Sequence, residues 1–488
     1  MILQILVYLF LFLFNVDTFL HFNNNTYIEQ LSSKYFYSFV QPKSISEPYL
    51  ININEELMNT LSITMIDRQE MAEFLCGNKL LSGSQSIAMN YAGHQFGYFT
   101  SQLGDGRATL LGQINQWAFH AKGTGPTQYS RGGDGRAVLR SSIREYLVSE
   151  AMFHLGIETT RALSLVSSTL LPVYRETIET AAIVVRVAPI VAFVRIGTFE
   201  VFSTHHQYEQ VRQLADFVIN NMYSKQEVTK DRYNLLLIDI ARRTGKLVAH
   251  WQAFGFTHGV LNTDNMNVLG STIDYGPFGF VEDKIQGYVP NHSDDEGRYA
   301  FDRQPIIAAW NLGKLRLAFS TLIDSNKYID EQYEFWLSFN RTYDNLMRQK
   351  LGLTFYLQSD QWIYQEILRL LDLYHLDYTR FWRQLADEIV PDVIKKEQWF
   401  SIYQRRLTLE GSYAKKIRRE RMNRINPKYI LRNYMAQVAI EKAREGDYNE
   451  IDRLLHLLRR PFDEQDEMND YAKISPKWAK KLIISCSS

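Results

Sequence analysis

Cysteine is nearly absent. The 488 residues contain two, Cys76 and Cys486. Two thiols cannot build a disulfide scaffold or a four-ligand structural zinc site, and a reducing, cytoplasmic compartment is the default. Net charge is missing too, with 54 Lys and Arg balancing 54 Asp and Glu. That balance removes the electrostatic reason to propose nucleic acid as a partner. Repeats and low-complexity tracts are lacking. His94, His120, His250 and His292 do not stand at metal-ligand spacings and are expected in core or surface roles. No apolar run reaches the roughly 20 residues of a membrane span. The longest, MILQILVYLFLFLF, breaks at Asn15 and Asp17. It has no Lys or Arg ahead of it and no small-residue cleavage site behind it, so it makes a poor export signal. A packed or interfacial helix, or an extension outside the domain, is favoured over export, and no firm membrane association is expected.

What remains is ordinary for a soluble globular chain with a large core: 45% apolar, 22% charged and 13% aromatic residues. The length predicts two lobes and a tail rather than one domain. From Tyr91 to Glu200 the chain is rich in Gly and Arg, with β-type runs such as RATLLGQI and AAIVVRV. Beyond Glu209, apolar residues recur at three and four spacing, as in YEQVRQLADFVINNMY and YNLLLIDIARRTGKLVAHWQAF, which predicts helices. A loop-and-strand island interrupts them at 256–282. After Asn311 the pattern is helical to the end, and the basic run 415–424 reads as a solvated helix face. The order predicts an α+β chain with a sheet-rich N-lobe, a helical C-lobe and a ligand cleft between them.

The chemistry concentrates in a few stretches. Asn265 is followed by an apolar step, a turn, a second apolar step and then Asp274-Tyr275-Gly276. Protein kinases place two metal ligands this way, because Mg²⁺ binds hard oxygens and bridges nucleotide phosphates. An Asn and an Asp that merely cap a hairpin would look the same. Upstream, Trp117–Lys122 reads as a strand ending in lysine. A helix from Ala137 to Gly156 carries Glu145, with Gly156 as its C-terminal cap. Lys122 and Glu145 are candidates for the strand-lysine and helix-glutamate pair of kinases. Gly104-Asp105-Gly106-Arg107 forms a turn whose open backbone N–H groups can cover phosphates. In a second glycine loop, Ser130–Arg136, Asp134 is expected to cap the Glu145 helix. Arg107, Arg186 and Arg195 add the planar forks that suit phosphate oxygens.

One position departs from kinase-like phosphotransferases. Their loop runs His-Gly-Asp-Leu-x-x-x-Asn; here it runs His258-Gly259-Val260-Leu261-Asn262-Thr263-Asp264-Asn265. Val260 cannot deprotonate a hydroxyl. A carboxylate stands instead at Asp264, beside the candidate metal ligand. Nucleotide and metal residues are kept while the base has moved, as expected if another phosphorus of ATP is attacked.

Together these stretches resemble the selenoprotein O family, pseudokinases that perform protein AMPylation. The resemblance is carried by YAGHQFGYFTSQLGDGRATLLGQ, by KGTGPTQYSRGGDGRAVLRSSIREYLVSEAMFHLGIETTRALSLV, by HGVLNTDNMNVLGSTIDYGPFGF and by NHSDDEGRYAFDRQPIIAAWNL. It spans roughly residues 20 to 488, and the ending Cys486-Ser487-Ser488 is similar to the family tail. It implies a protein-kinase-like two-lobed fold: an apolar extension over 1–19, an N-terminal segment at 20–90, an N-lobe at 91–205, a C-lobe at 206–400 and a helical C-terminal extension at 401–488.

The resemblance also implies an ATP turned end for end, its γ-phosphate buried and its α-phosphorus facing the acceptor. Gly104, Gly106 and Arg107 match the family's nucleotide loop. Lys122 matches its phosphate lysine, with Glu145 as partner. Asp134 and Gly135 match a further nucleotide contact, and Arg186 and Arg195 its phosphate arginines. Asp264 matches the proton acceptor. Asn265 and Asp274 match the ligands of Mg²⁺ or Mn²⁺. The partners implied are ATP and client proteins bearing Ser, Thr or Tyr acceptors, the enzyme itself included. Two features depart from the family. The segment Arg186–Arg195 is about two residues longer than usual, and Pro290 stands where bacterial relatives often have a cysteine, so no redox bond runs from there to Cys486. The alternatives are a kinase passing the γ-phosphate and a dead pseudokinase scaffold; the retained Asn265 and Asp274 argue against the scaffold.

Overall fold

In the computed structural model the described residues are 21–23, 25–64, 67–223, 231–323, 330–411 and 415–485. The N-terminal apolar run and Cys486 lie outside them. The β-rich runs of the first 189 residues form an antiparallel sheet: β1 (Tyr37–Phe39), β2 (Tyr49–Ile53), β3 (Ile87–Met89), β6 (Ala108–Ile114), β7 (Trp117–Lys122), β8 (Ala137–Val138), β9 (Arg161–Tyr174) and β10 (Ile178–Pro189). The order is β1-β3-β6-β7-β10-β9-β2, with β8 paired to β10. A separate hairpin joins β4 (Gly93–Gln95) to β5 (Tyr98–Thr100).

Alternation along the strands divides their side chains between two cores. In β10, Ala182, Val184 and Ala188 join the main core, whereas Ile183, Val185 and Val187 join a second one. The main core is roofed by the helix Leu139–His154. The second is closed by residues before the glycine loops, including the short helices Glu55–Thr60 and Arg68–Leu75, whose caps Asn54 and Asp67 accept from backbone amides. Burial on both faces is why these strands read as near-continuous apolar runs.

The Leu139–His154 helix ends at Gly156, which is left-handed at φ +77°. Its start corrects an expectation. Asp134 does not cap it; the N-cap is Val138 and no side chain caps it. The short strand β8 stands between them. The Asp134 carboxylate instead accepts from the Arg136 amide at 2.9 Å and pairs with Arg175 at 2.8 Å.

The C-terminal region is helical. Its longest helix, Arg232–Phe254, is closed by left-handed Gly255 and delivers the chain into the island at 256–282. There β11 (Phe256–Thr257) pairs with β12 (Gly279–Phe280). The late helices Asn433–Arg444 and Asn449–Leu458 return to pack on the Leu139–His154 helix. Tyr448 meets Tyr49 hydroxyl to hydroxyl at 2.7 Å, and Arg459 donates to Asn54 Oδ1 at 3.0 Å. The basic run lies on the helix Lys415–Ile425, where Lys415 and Arg418 pair with Glu388 and Arg419 with Asp387. No helix among the described residues is long and apolar enough to cross a membrane.

Candidate active site

Between sheet and helices lies a cleft of about 550 Å³, a size that accommodates a nucleotide. Its wall includes all the sequence candidates for nucleotide, metal and proton transfer: Gly104, Gly106, Arg107, Lys122, Asp134, Gly135, Arg186, Arg195, Asp264, Asn265 and Asp274. Glu145 stands behind the wall, buried, and accepts from Lys122 Nζ at 2.5 Å. Burial lowers the Lys122 ammonium below its ordinary value, and Glu145 opposes that shift.

Lys122 ends β7, and antiparallel pairing sets His120 across from Arg186 on β10. After β10 a 3₁₀ turn, Ile190–Phe193, takes up the long Arg186–Arg195 segment. It returns Arg195 to the cleft, where Arg186 and Arg195 each clasp one oxygen of Asp274. Burial alone would raise the Asp274 carboxyl, but Arg195, Arg186 and Lys122 outweigh it and hold it well below the carboxylate range. Asp274 is left-handed at φ +57°, a strained backbone of the kind that clusters at active sites. The same Arg195 donates to the main-chain oxygen of Asp264 at 2.5 Å, tying the two acidic residues together.

Asp264 lies in the 3₁₀ turn Thr263–Asn265 and is buried. Gln95 Nε2 donates to its Oδ2 at 3.2 Å, while its Oδ1 has no hydrogen-bond partner among the described residues. Burial pushes its carboxyl up to about 7, against Arg195 and Gln95. Gly93 passes so close that a Cβ there would sit 2.6 Å from Asp264 Oδ1. The loop is stitched to the metal-ligand candidates. Asn265 Nδ2 donates to Val260 O at 3.0 Å, and the buried His258 donates from Nε2 to Ile273 O, next to Asp274, at 2.9 Å.

The glycine loop is built differently from expectation. The amides of Asp105 and Gly106 are not open; they donate to Met89 O at 2.9 Å and Gly104 O at 2.8 Å. Gly104, at φ +79°, is there for close approach: a Cβ would meet the Tyr129 ring at 2.4 Å. Sequence reading also passed over Asp105, Gln95 and Gly93, and gave His120 only a core or surface role, of which the core is what the structure shows. Asp105 and His120 are buried and bonded to each other at 3.0 Å. Strand alternation held the signal for His120, since it shares the face of Lys122 two residues on. Nothing local marked Gln95 or Gly93, which reach Asp264 only across the fold.

At the far end, His292 N donates to Ile484 O at 2.8 Å, so the C-terminal segment reaches the strip beside Pro290. Cys76 is fully buried in the second core, its thiol pushed up to about 12 by burial.

A nucleotide-sized cleft lined by buried cations and a buried carboxylate fits an enzyme that handles a nucleotide's phosphates. The family model described as "Protein adenylyltransferase SelO" matches residues 18–459. The protein nucleotidyltransferase YdiU of Myxococcus xanthus (strain DK1622) is 44% identical over 469 residues, covering 92% of this chain and 95% of that one. Its namesake from Thiobacillus denitrificans (strain ATCC 25259 / T1) is 46% identical over 476 residues, covering 93% and 96%. A third, from Dechloromonas aromatica (strain RCB), is 44% identical over 481 residues, covering 93% and 95%. The chain belongs to the SelO family of protein adenylyltransferases, and its substrates are ATP and protein.

Proposed function

We propose that the fold is kinase-like, with an N-lobe at 91–205 and a C-lobe at 206–400, and that Asp264 takes the proton of a Ser, Thr or Tyr hydroxyl. The acceptor oxygen bonds to the α-phosphorus as the bond to the bridging oxygen breaks, and pyrophosphate leaves. Lys122, Arg107, Arg186 and Arg195 hold the polyphosphate and take up the charge that gathers on the leaving group. Glu145 fixes Lys122. Gly104 and Gly106, free of a Cβ so that the loop can pack on Tyr129, contact the nucleotide from the cleft wall, with Asp134 and Gly135 as a further contact.

Asn265 and Asp274 suit Mg²⁺ or Mn²⁺, since an amide and a carboxylate supply hard oxygens. Such a site would complete its oxygen ligands with phosphate and water. A bound divalent ion supplies neutralising charge to the phosphates. On this reading Arg186 and Arg195, both on Asp274 here, transfer their donors to phosphate oxygens when ligands enter.

The observation that supports the reading most is the pairing of Val260 with Asp264. The kinase base position is apolar, and the neighbouring carboxylate keeps an unpartnered oxygen in the cleft wall. ATP labelled at the α-phosphorus should label acceptor protein, and γ-label should not. Asp264→Asn should lower transfer by about 10³-fold while nucleotide binding persists, and Asp274→Ala should lose metal-dependent nucleotide binding. Full activity in both variants removes these roles.

A further inference from the structure

We propose that His120 is a positioning residue that aims the Arg186 guanidinium at the leaving phosphates. The proposal rests on the assignment of Arg186 to phosphate made above. His120 is fully buried, yet it is not inert packing. Arg186 Nη2 donates to His120 Nδ1 at 2.6 Å. A ring nitrogen that accepts carries no proton, so the proton sits on Nε2, which donates to Asp105 Oδ2 at 3.0 Å. Asp105 is itself fixed, its Oδ2 accepting from the Met89 amide at 3.1 Å. Phe193 stacks on the imidazole at 4.6 Å and 12°, which holds the ring plane.

The chemistry explains why a neutral imidazole suits this place. Arg186 already faces the carboxylates of Asp274 and Glu145, so the group that orients it should add no further negative charge. A carboxylate at position 120 would pair with the guanidinium and compete with phosphate for it. A neutral acceptor sets the direction of one Nη2 N–H and leaves the positive charge available. Arg186 Nη1 faces Asp274 and, at 3.4 Å, Glu145, and Nε has no partner among the described residues. Asp105 also stands 3.9 Å from Arg195. The buried Asp105 thereby serves both arginines, one through His120 and one directly. Burial works to raise its carboxyl, but the hydrogen bond from the His120 ring, the Arg195 guanidinium and the Met89 amide outweigh it and hold the group below its ordinary value.

The test uses the full chain and compares nucleotide affinity among wild type, His120→Phe, Arg186→Ala and the double variant, each with ATP and with AMP, which lacks the leaving phosphates. Phe keeps the ring and its stacking but cannot accept from Arg186. His120→Phe should weaken ATP about tenfold and weaken pyrophosphate inhibition in parallel, with AMP affinity unchanged. His120→Gln, whose amide can accept and donate, should recover most of the ATP affinity. Because His120 acts through Arg186, the double variant should bind ATP no worse than Arg186→Ala alone. ATP binding intact in His120→Phe but lost in Arg186→Ala overturns the proposal, and so does simple addition of the two losses. If Arg186→Ala itself leaves ATP affinity unchanged, the proposal falls with it, and the fault lies in the phosphate assignment. Should His120→Phe fail to fold, His120→Asn, polar and too short to reach both partners, takes its place in the same cycle.

Discussion

A single methyl group near Asp264 should be enough to impair transfer. Gly93 leaves no room for a Cβ beside the Asp264 oxygens. Gly93→Ala must therefore displace the carboxylate, and a shift of about 1 Å can cost about 10²-fold in rate. Steady-state kinetics should show kcat falling by that order with the KM for ATP little changed. A second residue-scale prediction concerns stability. Lys350 is 1% exposed, and its ammonium lies 5.2 Å from the Trp382 ring, 5.4 Å from Phe254 and 5.7 Å from Tyr378. Burial lowers it to about 7. Below pH 7 it is charged in both folded and unfolded chains, and the full cost of burying charge is present. Between about pH 7 and the unfolded value of 10.5 the unfolded chain holds the extra proton, so stability rises with pH. Cation–π contacts offset part of the cost. Lys350→Met should raise the melting midpoint most at pH 6 to 7, and the difference from wild type should shrink towards about pH 10. An equal gain at every pH would contradict a buried charge.

Strands buried on both faces set the element-scale expectation. In β9 and β10, Leu165 faces the main core and Ile183 the second. Leu165→Ala and Ile183→Ala should each destabilise by about 2–5 kcal/mol in denaturant titrations, because each opens a cavity in a closed core. A sheet wetted on one face would show one large loss and one small one. The double burial also explains what was legible here. Continuous apolar runs predicted the strands from Trp117 to Lys122 and around Ala182–Ala188. The same continuity hid which face each residue takes, and with it the meeting of His120 and Arg186 across two strands. The misplaced cap has a local cause: Asp134 has the right residue type for an N-cap, but Arg175 from the turn after β9 claims its carboxylate.

At the scale of the whole molecule, the tail holds the site from behind. Arg144, the neighbour of Glu145, donates to Asn433 Oδ1 at 3.2 Å and Phe278 O at 2.9 Å, and lies over the Phe278 ring at 4.3 Å. Burial brings its guanidinium down to about 10. The Glu145 helix is thus gripped by the C-terminal helices on one side and the loop-and-strand island at 256–282 on another. Leu454→Ala combined with Leu458→Ala should loosen that grip. Amide exchange in the Leu139–His154 helix should speed up by at least about tenfold, with the Arg232–Phe254 helix unchanged and ATP affinity reduced. Exchange that rises equally in both helices would instead mean global destabilisation.

By itself the sequence determined the secondary-structure order, the carboxylate at Asp264 where kinase-like loops carry theirs four residues earlier, and the set of cleft residues, because spacing along the chain carries each of them. Tertiary structure alone decided how those residues are held. It put Arg186 and Arg195 on the two oxygens of Asp274, Gly93 and Gln95 against Asp264, and the C-terminal helices behind Glu145. These are contacts between segments up to about 290 residues apart, such as Arg144 with Asn433. Burial, which sets the charge states there, is a property of the packed whole that no local pattern encodes.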